Sequence, residues 1–565
     1  MTTVDPVDVG LLEQARTWMD HDPDDSTRAE LAGIVAAAES RDEAAAADLA
    51  SRFVGPLAFG TAGLRAAVGA GESRMNVAVV TRATAGVAQY LIDTLGPDAR
   101  VVVGCDARHG SSEFMDAALE VLAAAGLTVL ALPKRLPTPL TAYAVRALEC
   151  EAGIMITASH NPAADNGYKV YLGGRAADED GRGVQIVPPA DAEIADRIAA
   201  APPADKVPRS SSGIEQVDPA VVDAFRSRAA TRRGSGEQSK VRVVLTPMHG
   251  VGGATAVAVL HQAGVLDVHP VAEQFEPDPD FPTVSFPNPE EPGAIDLSIA
   301  LAQRVSADIV VALDPDADRC SVAIPQRDGS WRQLTGDEIG SILGEQAAAD
   351  RTRDGDTLAN SVVSSRLLGR IAAAYGLRHA VTLTGFKWIA RAPGIRFGYE
   401  EAIGYCTDPV AVHDKDGISA AVRVVTLVEE LAADGRTIED LLDDLARQHG
   451  LHATSQLSFR VSDLSVIADA MVRLRATAVG TIAGSPVVEF RDLAAGSADL
   501  LPTDGLLYRT EADDRVIIRP SGTEPKLKCY LEVILPCEGD EVPRAAAAQR
   551  LDAISADIRA ILRLP

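Results

Sequence analysis

The chain has 565 residues, too many for one compact core and enough for three or four domains. Its 53 Lys plus Arg stand against 80 Asp plus Glu, a formal charge of −27. That charge excludes nonspecific attraction to nucleic acid or an anionic membrane, and it obliges any anionic substrate to find a locally basic pocket.

The opening MTTVDPVDVG lacks a basic region followed by an apolar core, so no secretory signal is expected, and no run is apolar and long enough to span a bilayer. Helices are expected from Val9 to His21 and, Ala-rich, from Ala29 to Ser51. Strands and helices then alternate: RVVVG (100–104) a strand, EFMDAALEVLAAAG (113–126) a helix, LTVLALP (127–133) a strand, TPLTAYAVRALE (138–149) a helix leading into the apolar GIMIT (153–157). Buried strands alternating with amphipathic helices are the pattern of an α/β sheet with helical crossovers. AAPPADKVPRSSSG (200–213) and TRRGSGEQSK (231–240) read as loops or linkers. The α/β pattern resumes with KVRVVLTPMHGVGG and ADIVVALDPDADR, and a third block runs from about Thr335 to Gly450. The last block differs. RVIIRPSGTEPKLKCYLEVIL is strand-like on both sides of a turn, and a closing helix is expected from Val542 to Leu562. The six cysteines are scattered with no CxxC pair, which predicts reduced thiols and a cytoplasmic protein; Cys320 and Cys406 read as small buried hydrophobes beside candidate loops.

Five stretches carry chemistry. In DPDADR (314–319), Asp314, Asp316 and Asp318 alternate after the apolar strand IVVAL and can converge on one hard cation. An EF-hand is excluded, because its sixth position is Arg319 rather than Gly and its twelfth is Pro325 rather than Glu. Three carboxylates from one tight loop suit Mg²⁺ with positions left for a phosphate oxygen, and Arg319 beside them can hold an anion. A solvated acidic turn is the alternative, disfavoured because the loop leaves a buried strand. In TASHNP (157–162), Ser159 is a poor nucleophile unless a base or metal helps it, and no GxSxG surrounds it. With a metal nearby it can carry a phosphate, and His160 can shuttle a proton. Taken alone, Ser159 reads as a loop serine, and His160 reads equally as a structural histidine.

RPSGTEPK (519–526) offers Arg519 as a bidentate phosphate clamp, the Ser521 and Thr523 hydroxyls and the backbone at Gly522 as further donors, and Lys526 as a second cation. FGYEEAIGY (397–405) presents Glu400 and Glu401 in a Gly-flanked loop able to accept from vicinal sugar hydroxyls, and TLTGFKW (382–388) offers Lys387 to a phosphate or as a proton donor. FGTAGLR (59–65) is a Gly-rich turn that can bring Arg65 to a phosphate. Arg65, Lys169, Arg319, Lys387, Arg519 and Lys526 together could form one basic pocket in the acidic protein.

In this order, these stretches resemble the α-D-phosphohexomutase superfamily, the phosphoglucomutases, phosphomannomutases and their relatives. TGFKW and GYEEAIGY look most like the subgroup that includes phosphopentomutase and glucose-1,6-bisphosphate synthase. The resemblance implies an α/β architecture of four domains around a central cleft, placed here at 1–213, 214–334, 335–450 and 451–565, the last a smaller α+β domain. It implies Ser159 as the phosphoserine; Asp314, Asp316, Asp318 and the group on Ser159 as the Mg²⁺ ligands; and His160, Lys169 (in NGYK) and Arg319 at the reaction centre. Glu400 would hold sugar hydroxyls, and Arg519, Ser521, Gly522 and Thr523 the phosphate that is not reacting. The implied reaction moves phosphate between C1 and C6 of a hexose phosphate through a bisphosphorylated sugar, with sugar 1,6-bisphosphate as primer. Partners would be small sugar phosphates, without nucleic acid or membrane, in a monomer or homodimer. One departure bears on the substrate: many hexose-specific members have Ser two places after the sugar-loop Glu, where this chain has Ala402. A phosphopentomutase, a sugar-1,6-bisphosphate synthase, a metal-dependent phosphatase and a sugar-phosphate sensor remain as alternatives.

Overall fold

The computed structural model describes residues 8–234, 238–350, 353–461, 464–498, 500–521 and 526–564. They form two compact units, Met1–Gln333 with Gly404–Glu429, and Leu334–Ile403 with Glu430–Pro565. No described helix is long and apolar enough to cross a membrane.

The first unit opens with α1 (Val9–His21), α2 (Asp25–Glu39) and α3 (Glu43–Ser51). The single helix expected over 29–51 is in fact two. Arg41 turns the chain in the left-handed region (φ 66°), and the Asp42 carboxylate accepts from the amides of Ala44 and Ala45 at 2.9 and 3.1 Å. A short acidic side chain that caps a helix start outcompetes alanine propensity at that point.

Next come β1 (Leu64–Ala67), β2 (Arg100–Cys105), β3 (Thr128–Ala131), β4 (Ala152–Ile156), β5 (Asp165–Leu172), β6 (Val184–Gln185) and β7 (Ile214–Gln216). The sheet runs β1-β5-β4-β2-β3-β7, with β6 paired to β5. Strands β4, β2, β3 and β7 are mutually parallel, whereas β5 is antiparallel to both β4 and β1. Val101, Val103, Ile154 and Ile156 pack against Val80, Val87 and Leu91 of the helix Val77–Leu95. The helices expected near 113–126 and 138–149 are Ser111–Ala124 and Thr138–Ala147. The loop-like stretches 200–213 and 231–240 contain the 3₁₀ turns Ala204–Lys206 and Thr231–Arg233 and an isolated bridge from Ser239 to Val265.

A second sheet of β8 (Val243–Thr246), β9 (Val268–Pro270), β10 (Ile309–Leu313), β11 (Cys320–Pro325) and β12 (Trp331–Gln333) runs β12-β11-β10-β8-β9. Strands β10 and β11 are antiparallel neighbours, so DPDADR is the turn that joins two buried strands.

In the second unit, β13 (Thr357–Ser361), β14 (Arg378–Thr382) and β15 (Ile395–Glu400) form a parallel sheet with β13 central. The short β16 (Gly404–Cys406) belongs to the first unit. Strands β17 (Leu451–Arg460), β18 (Thr481–Ile482), β19 (Ser485–Asp492), β20 (Leu506–Thr510), β21 (Arg515–Pro520) and β22 (Lys526–Leu535) form an antiparallel sheet in the order β17-β22-β21-β20-β19-β18. The closing helix Arg544–Leu562 lays Leu551, Ile554 and Ile558 onto it.

Within this unit Glu532 of β22 is 1% exposed, yet its carboxylate is fully engaged. It accepts from Ser365 Oγ (2.9 Å) and from the Arg366 amide and Nε (2.7 and 2.6 Å), and it pairs with Arg515 (3.2 Å). Burial alone would raise this carboxyl, but Arg515 and Arg366 outweigh it and bring it down to about 2. A depressed carboxyl contributes stability that is complete above the ordinary glutamate range near 4.5 and is lost as pH falls toward the folded value. Between pH 5 and 3 the unfolding free energy of wild type should therefore fall more steeply than that of Glu532→Gln, by up to about 1.4 kcal/mol per pH unit. Parallel denaturation curves for the two proteins across that range would show that Glu532 is not held by these arginines.

Candidate active site

The DPDADR turn buries its charges. Asp314, Asp316 and Asp318 are each 0% exposed, and one oxygen from each lies within 4.8 Å of the others. Three carboxylates at that spacing repel unless cations surround them. Lys169 Nζ of β5 lies 2.9 Å from Asp316 and 3.1 Å from Asp318, and Lys415 Nζ lies 3.2 Å from Asp318. Thr138 Oγ1 donates to Asp316 (2.7 Å), and the Arg319 amide donates to Asp314 (3.0 Å).

The charges settle unequally. Burial raises the Asp318 carboxyl, but Lys169, Lys415 and Arg319 outweigh it and hold the group far below the usual carboxylate range. Asp316 is likewise below its ordinary value, where Lys169 and Thr138 overcome burial and Asp318. Asp314 goes the other way: burial and its two aspartate neighbours push it well up. Burial works against the Lys169 ammonium, yet Asp316 and Asp318 keep it above the ordinary lysine value, so it is protonated. Even so, Oδ1 of Asp316 and Oδ1 of Asp318 are buried without a hydrogen-bond partner. Unsatisfied buried carboxylate oxygens are costly, and a hard divalent cation with oxygen preference is the group this donor set fits.

The serine loop faces this turn. Ser159 is 3% exposed and adopts a left-handed backbone (φ 51°). Its amide donates to Thr157 Oγ1 (2.9 Å), and its own Oγ donates to Asp314 Oδ2 (2.9 Å). A non-glycine residue in that region persists only when its surroundings hold it. Here Arg108 does so: its guanidinium donates to the carbonyls of Ser159, Asn161, Pro162 and Asp165 at 2.7, 2.6, 2.8 and 3.0 Å. Arg319 Nη1 lies against the His160 ring, close to Nδ1 and 3.1 Å from Nε2. Arg65 is half-buried and donates to Asn161 Oδ1 (3.0 Å); burial and the nearby Arg319 lower its guanidinium below the ordinary value. Ser159, His160, Lys169, Arg319, Arg65 and the three aspartates are thus brought together in the first unit.

The remaining predicted residues lie in the second unit. Lys387 is on the short helix Phe386–Ile389, and Glu400 ends β15 with 9% exposure. Glu401 was expected to offer its carboxylate to a sugar, but its Oε2 already accepts from Ser361 Oγ (3.0 Å) and Ser364 Oγ (2.9 Å). Arg519 is near the end of β21, and its Nε is buried without a hydrogen-bond partner among the described residues. The Ser521 amide donates to the Lys526 carbonyl (2.8 Å), which closes the turn between β21 and β22. Gly522 and Thr523 lie outside the described residues.

Arg108, Thr138 and Lys415 were missed from sequence. Arg108 and Thr138 sit in stretches without a motif. Lys415 had a signal, the alternation HDKDG (413–417) ending in glycine. A Cβ on Gly417 would lie 2.4 Å from the Arg319 carbonyl oxygen, so only glycine lets this segment press Lys415 against the acidic turn.

Four family models match the chain: phosphoglucomutase/phosphomannomutase alpha/beta/alpha domains I, II and III at residues 56–203, 222–329 and 335–449, and the C-terminal domain at 471–538. The chain is 43% identical over 461 residues to the "Probable phosphomannomutase" of Haemophilus influenzae, covering 81% of this chain and 93% of that one. It is 33% identical over 602 residues to the phosphopentomutase of Homo sapiens, covering 97% and 95%. A crystal structure of a phosphoglucomutase/phosphomannomutase family protein from Burkholderia thailandensis shares the fold with a TM-score of 0.66 at 21% identity, covering 88% of this chain and 96% of that one. The chain belongs to the phosphoglucomutase/phosphomannomutase family and has its four-domain α/β architecture.

The strap by Arg108 generates a prediction. Arg108→Lys keeps the charge but cannot fork to four carbonyls. Turnover should fall by about 100-fold with the circular-dichroism spectrum unchanged, since a displacement of about 1 Å at a reacting group costs that much. Turnover within threefold of wild type would show that the serine loop holds its shape without the strap.

Proposed function

We propose that this phosphotransferase moves a phosphoryl group between C1 and C6 of a hexose phosphate, glucose or mannose, with Ser159 as the carrier. The observation that carries the reading is the buried contact of Ser159 Oγ with Asp314 Oδ2 at 2.9 Å. It sets a hydroxyl against three carboxylates, two of which keep an unpartnered oxygen.

Mg²⁺ held by Asp314, Asp316, Asp318 and an oxygen on Ser159 would supply positive charge to the transferring phosphoryl oxygens. In the first half-reaction the bond between phosphorus and Ser159 Oγ breaks as a bond forms between phosphorus and the free sugar hydroxyl oxygen. The hydroxyl proton leaves to a base. The bisphosphorylated sugar then returns its other phosphoryl group to Ser159 Oγ, and the oxygen left on the sugar takes a proton back. His160, adjacent to the carrier in sequence, is suited to accept and return that proton. Protonated Lys169 and the Arg319 guanidinium offset charge on the phosphoryl oxygens. Arg519, Ser521, Gly522, Thr523 and Lys526 hold the phosphate that is not reacting, with Arg65 and Lys387 as further cations, and Glu400 accepts from sugar hydroxyls. Sugar 1,6-bisphosphate primes the enzyme by phosphorylating Ser159. The six unpaired cysteines fit a reducing compartment, the cytoplasm.

A pentose phosphate is the second reading. Ala402 removes the hydroxyl found in many hexose-specific members, and the chain aligns along 95% of a phosphopentomutase.

Initial rates with glucose 1-phosphate, mannose 1-phosphate and ribose 1-phosphate, in Mg²⁺ with trace bisphosphate, should show isomerised product and name the sugar. Ser159→Ala should lower turnover by at least about 1,000-fold while the fold persists. Near-normal turnover in that variant sinks the phosphoserine scheme; bisphosphate released in stoichiometric amount would mark a synthase instead.

A further inference from the structure

The segment Ser361–Arg366 (SVVSSR) begins on the last residue of β13 and is absent from the motifs above, yet it contacts both the Glu401 loop and strands β21 and β22. On one side, Ser361 Oγ and Ser364 Oγ donate to Glu401 Oε2 at 3.0 and 2.9 Å, and the two hydroxyls lie 2.8 Å apart. Glu401 is thereby occupied as an anchor for its own loop, directly after Glu400. The backbone there is also seated tightly, because a Cβ on Gly336 would lie 1.8 Å from the Glu401 carbonyl oxygen. On the other side, Arg515 donates to the carbonyls of Val362 (3.0 Å) and Ser364 (2.6 Å), while Ser365 and Arg366 are held by Glu532.

Arg515 begins β21, and Arg519 lies four residues on. Residues i and i+4 of a strand project from the same face, about 13 Å apart at the usual rise. Strand β21 is paired on both sides, with Arg515 opposite Arg509 of β20 and Glu532 of β22. A doubly paired strand has little freedom to stretch or bend, so the grip of Arg515 on 362–364 and the position of Arg519 are registered to each other.

We propose that Arg515, Ser361 and Ser364 are positioning residues that fix the Glu400–Glu401 loop at a set span from Arg519, and so determine the length of sugar phosphate accepted, pentose against hexose. This rests on the reading that Glu400 receives sugar hydroxyls and Arg519 the non-reacting phosphate. The three residues touch no substrate in this scheme. They act through Glu401, which changes role from sugar ligand to anchor.

The test compares kcat and KM on glucose 1-phosphate and ribose 1-phosphate for wild type, the double variant Ser361→Ala/Ser364→Ala, and Arg515→Lys. The double variant removes both hydroxyls from Glu401 and leaves the Glu532 pairs intact. Arg515→Lys keeps a cation opposite Glu532 but loses the fork on the carbonyls. For both, the ratio of kcat/KM between the two sugars should shift at least about fivefold, with KM for the preferred sugar rising about tenfold and kcat falling less than about threefold. In the Ser364→Ala background, Ser361→Thr, which keeps a hydroxyl, should hold the ratio nearer wild type than Ser361→Ala does. A ratio constant within about twofold, or a loss confined to kcat, overturns the proposal while the mutase reading stands. Should the double variant fail to fold, Ser361→Ala alone and Arg515→Lys decide by the same ratio. Wild type that isomerises neither sugar overturns the mutase reading, and the proposal with it.

Discussion

The constraint on which the first unit depends is the burial of three aspartates in one six-residue turn. At separations under 5 Å in a low-dielectric interior their mutual repulsion exceeds what a single hydrogen bond returns. The fold answers by bringing cations from distant parts of the chain: Lys169 from a strand of the first sheet, Lys415 from the segment after β16, and Arg319 from the turn itself. Each is positioned by backbone rather than by a flexible loop. Lys169 lies on β5, paired on both sides, and Lys415 precedes Gly417, whose missing Cβ permits contact with the Arg319 and Ala317 carbonyls. The turn is pressed from the other side at Gly250, where a Cβ would lie 2.4 Å from Pro315. Two close backbone approaches therefore clamp the acidic turn, and the lysines lower its charge without completing its coordination.

That incompleteness distinguishes this network from the one around Glu532. There every polar contact is made by protein groups, and the carboxyl drops to about 2 because its arginines satisfy it. In the acidic turn, Asp316 and Asp318 each keep a buried oxygen without a hydrogen-bond partner among the described residues. Two such oxygens within one cluster of three buried carboxylates fit a site that takes a cation. The left-handed backbone at Ser159 points the same way. Arg108 gives four donors to keep a strained loop in shape, and the product of that expense is a hydroxyl aimed at Asp314.

What was legible in the sequence follows from range. DPDADR and TASHNP each hold their functional groups within six residues, so pattern alone places them at strand ends, and the α/β alternation between them is carried by apolar runs that periodicity detects. The break at Arg41 was not legible, because Ala-rich sequence on both sides of Asp42 carries the same helical pattern and only the cap geometry separates them. The hold of Ser361 and Ser364 on Glu401 was not legible for a different reason. Adjacent carboxylates look equivalent in sequence, but neighbouring residues at a strand end face opposite ways, and Ser361 and Ser364 lie close to Glu401 only through the pairing of β13 with β15. Arg108 and Lys415 act on loops some 50 and 100 residues away, and no local pattern announces such a partner.

The chemistry of the chain is divided between units that are each held by their own charges. The serine, its histidine and the acidic turn draw on Arg108, Lys169 and Lys415, all of the first unit. The segment 361–366 and strands β21 and β22 draw on Arg515, Arg366 and Glu532, all of the second. A substitution in either network then disturbs first the unit that contains it: the serine loop and acidic turn in one case, the Glu401 loop and β21 in the other. A protein of net charge −27 gains from this arrangement, since each half neutralises its carboxylates locally and the arginines and lysines that remain can meet a doubly charged phosphate. The span proposed between Glu400 and Arg519 lies wholly within the second unit, whereas the serine loop and the acidic turn belong to the first.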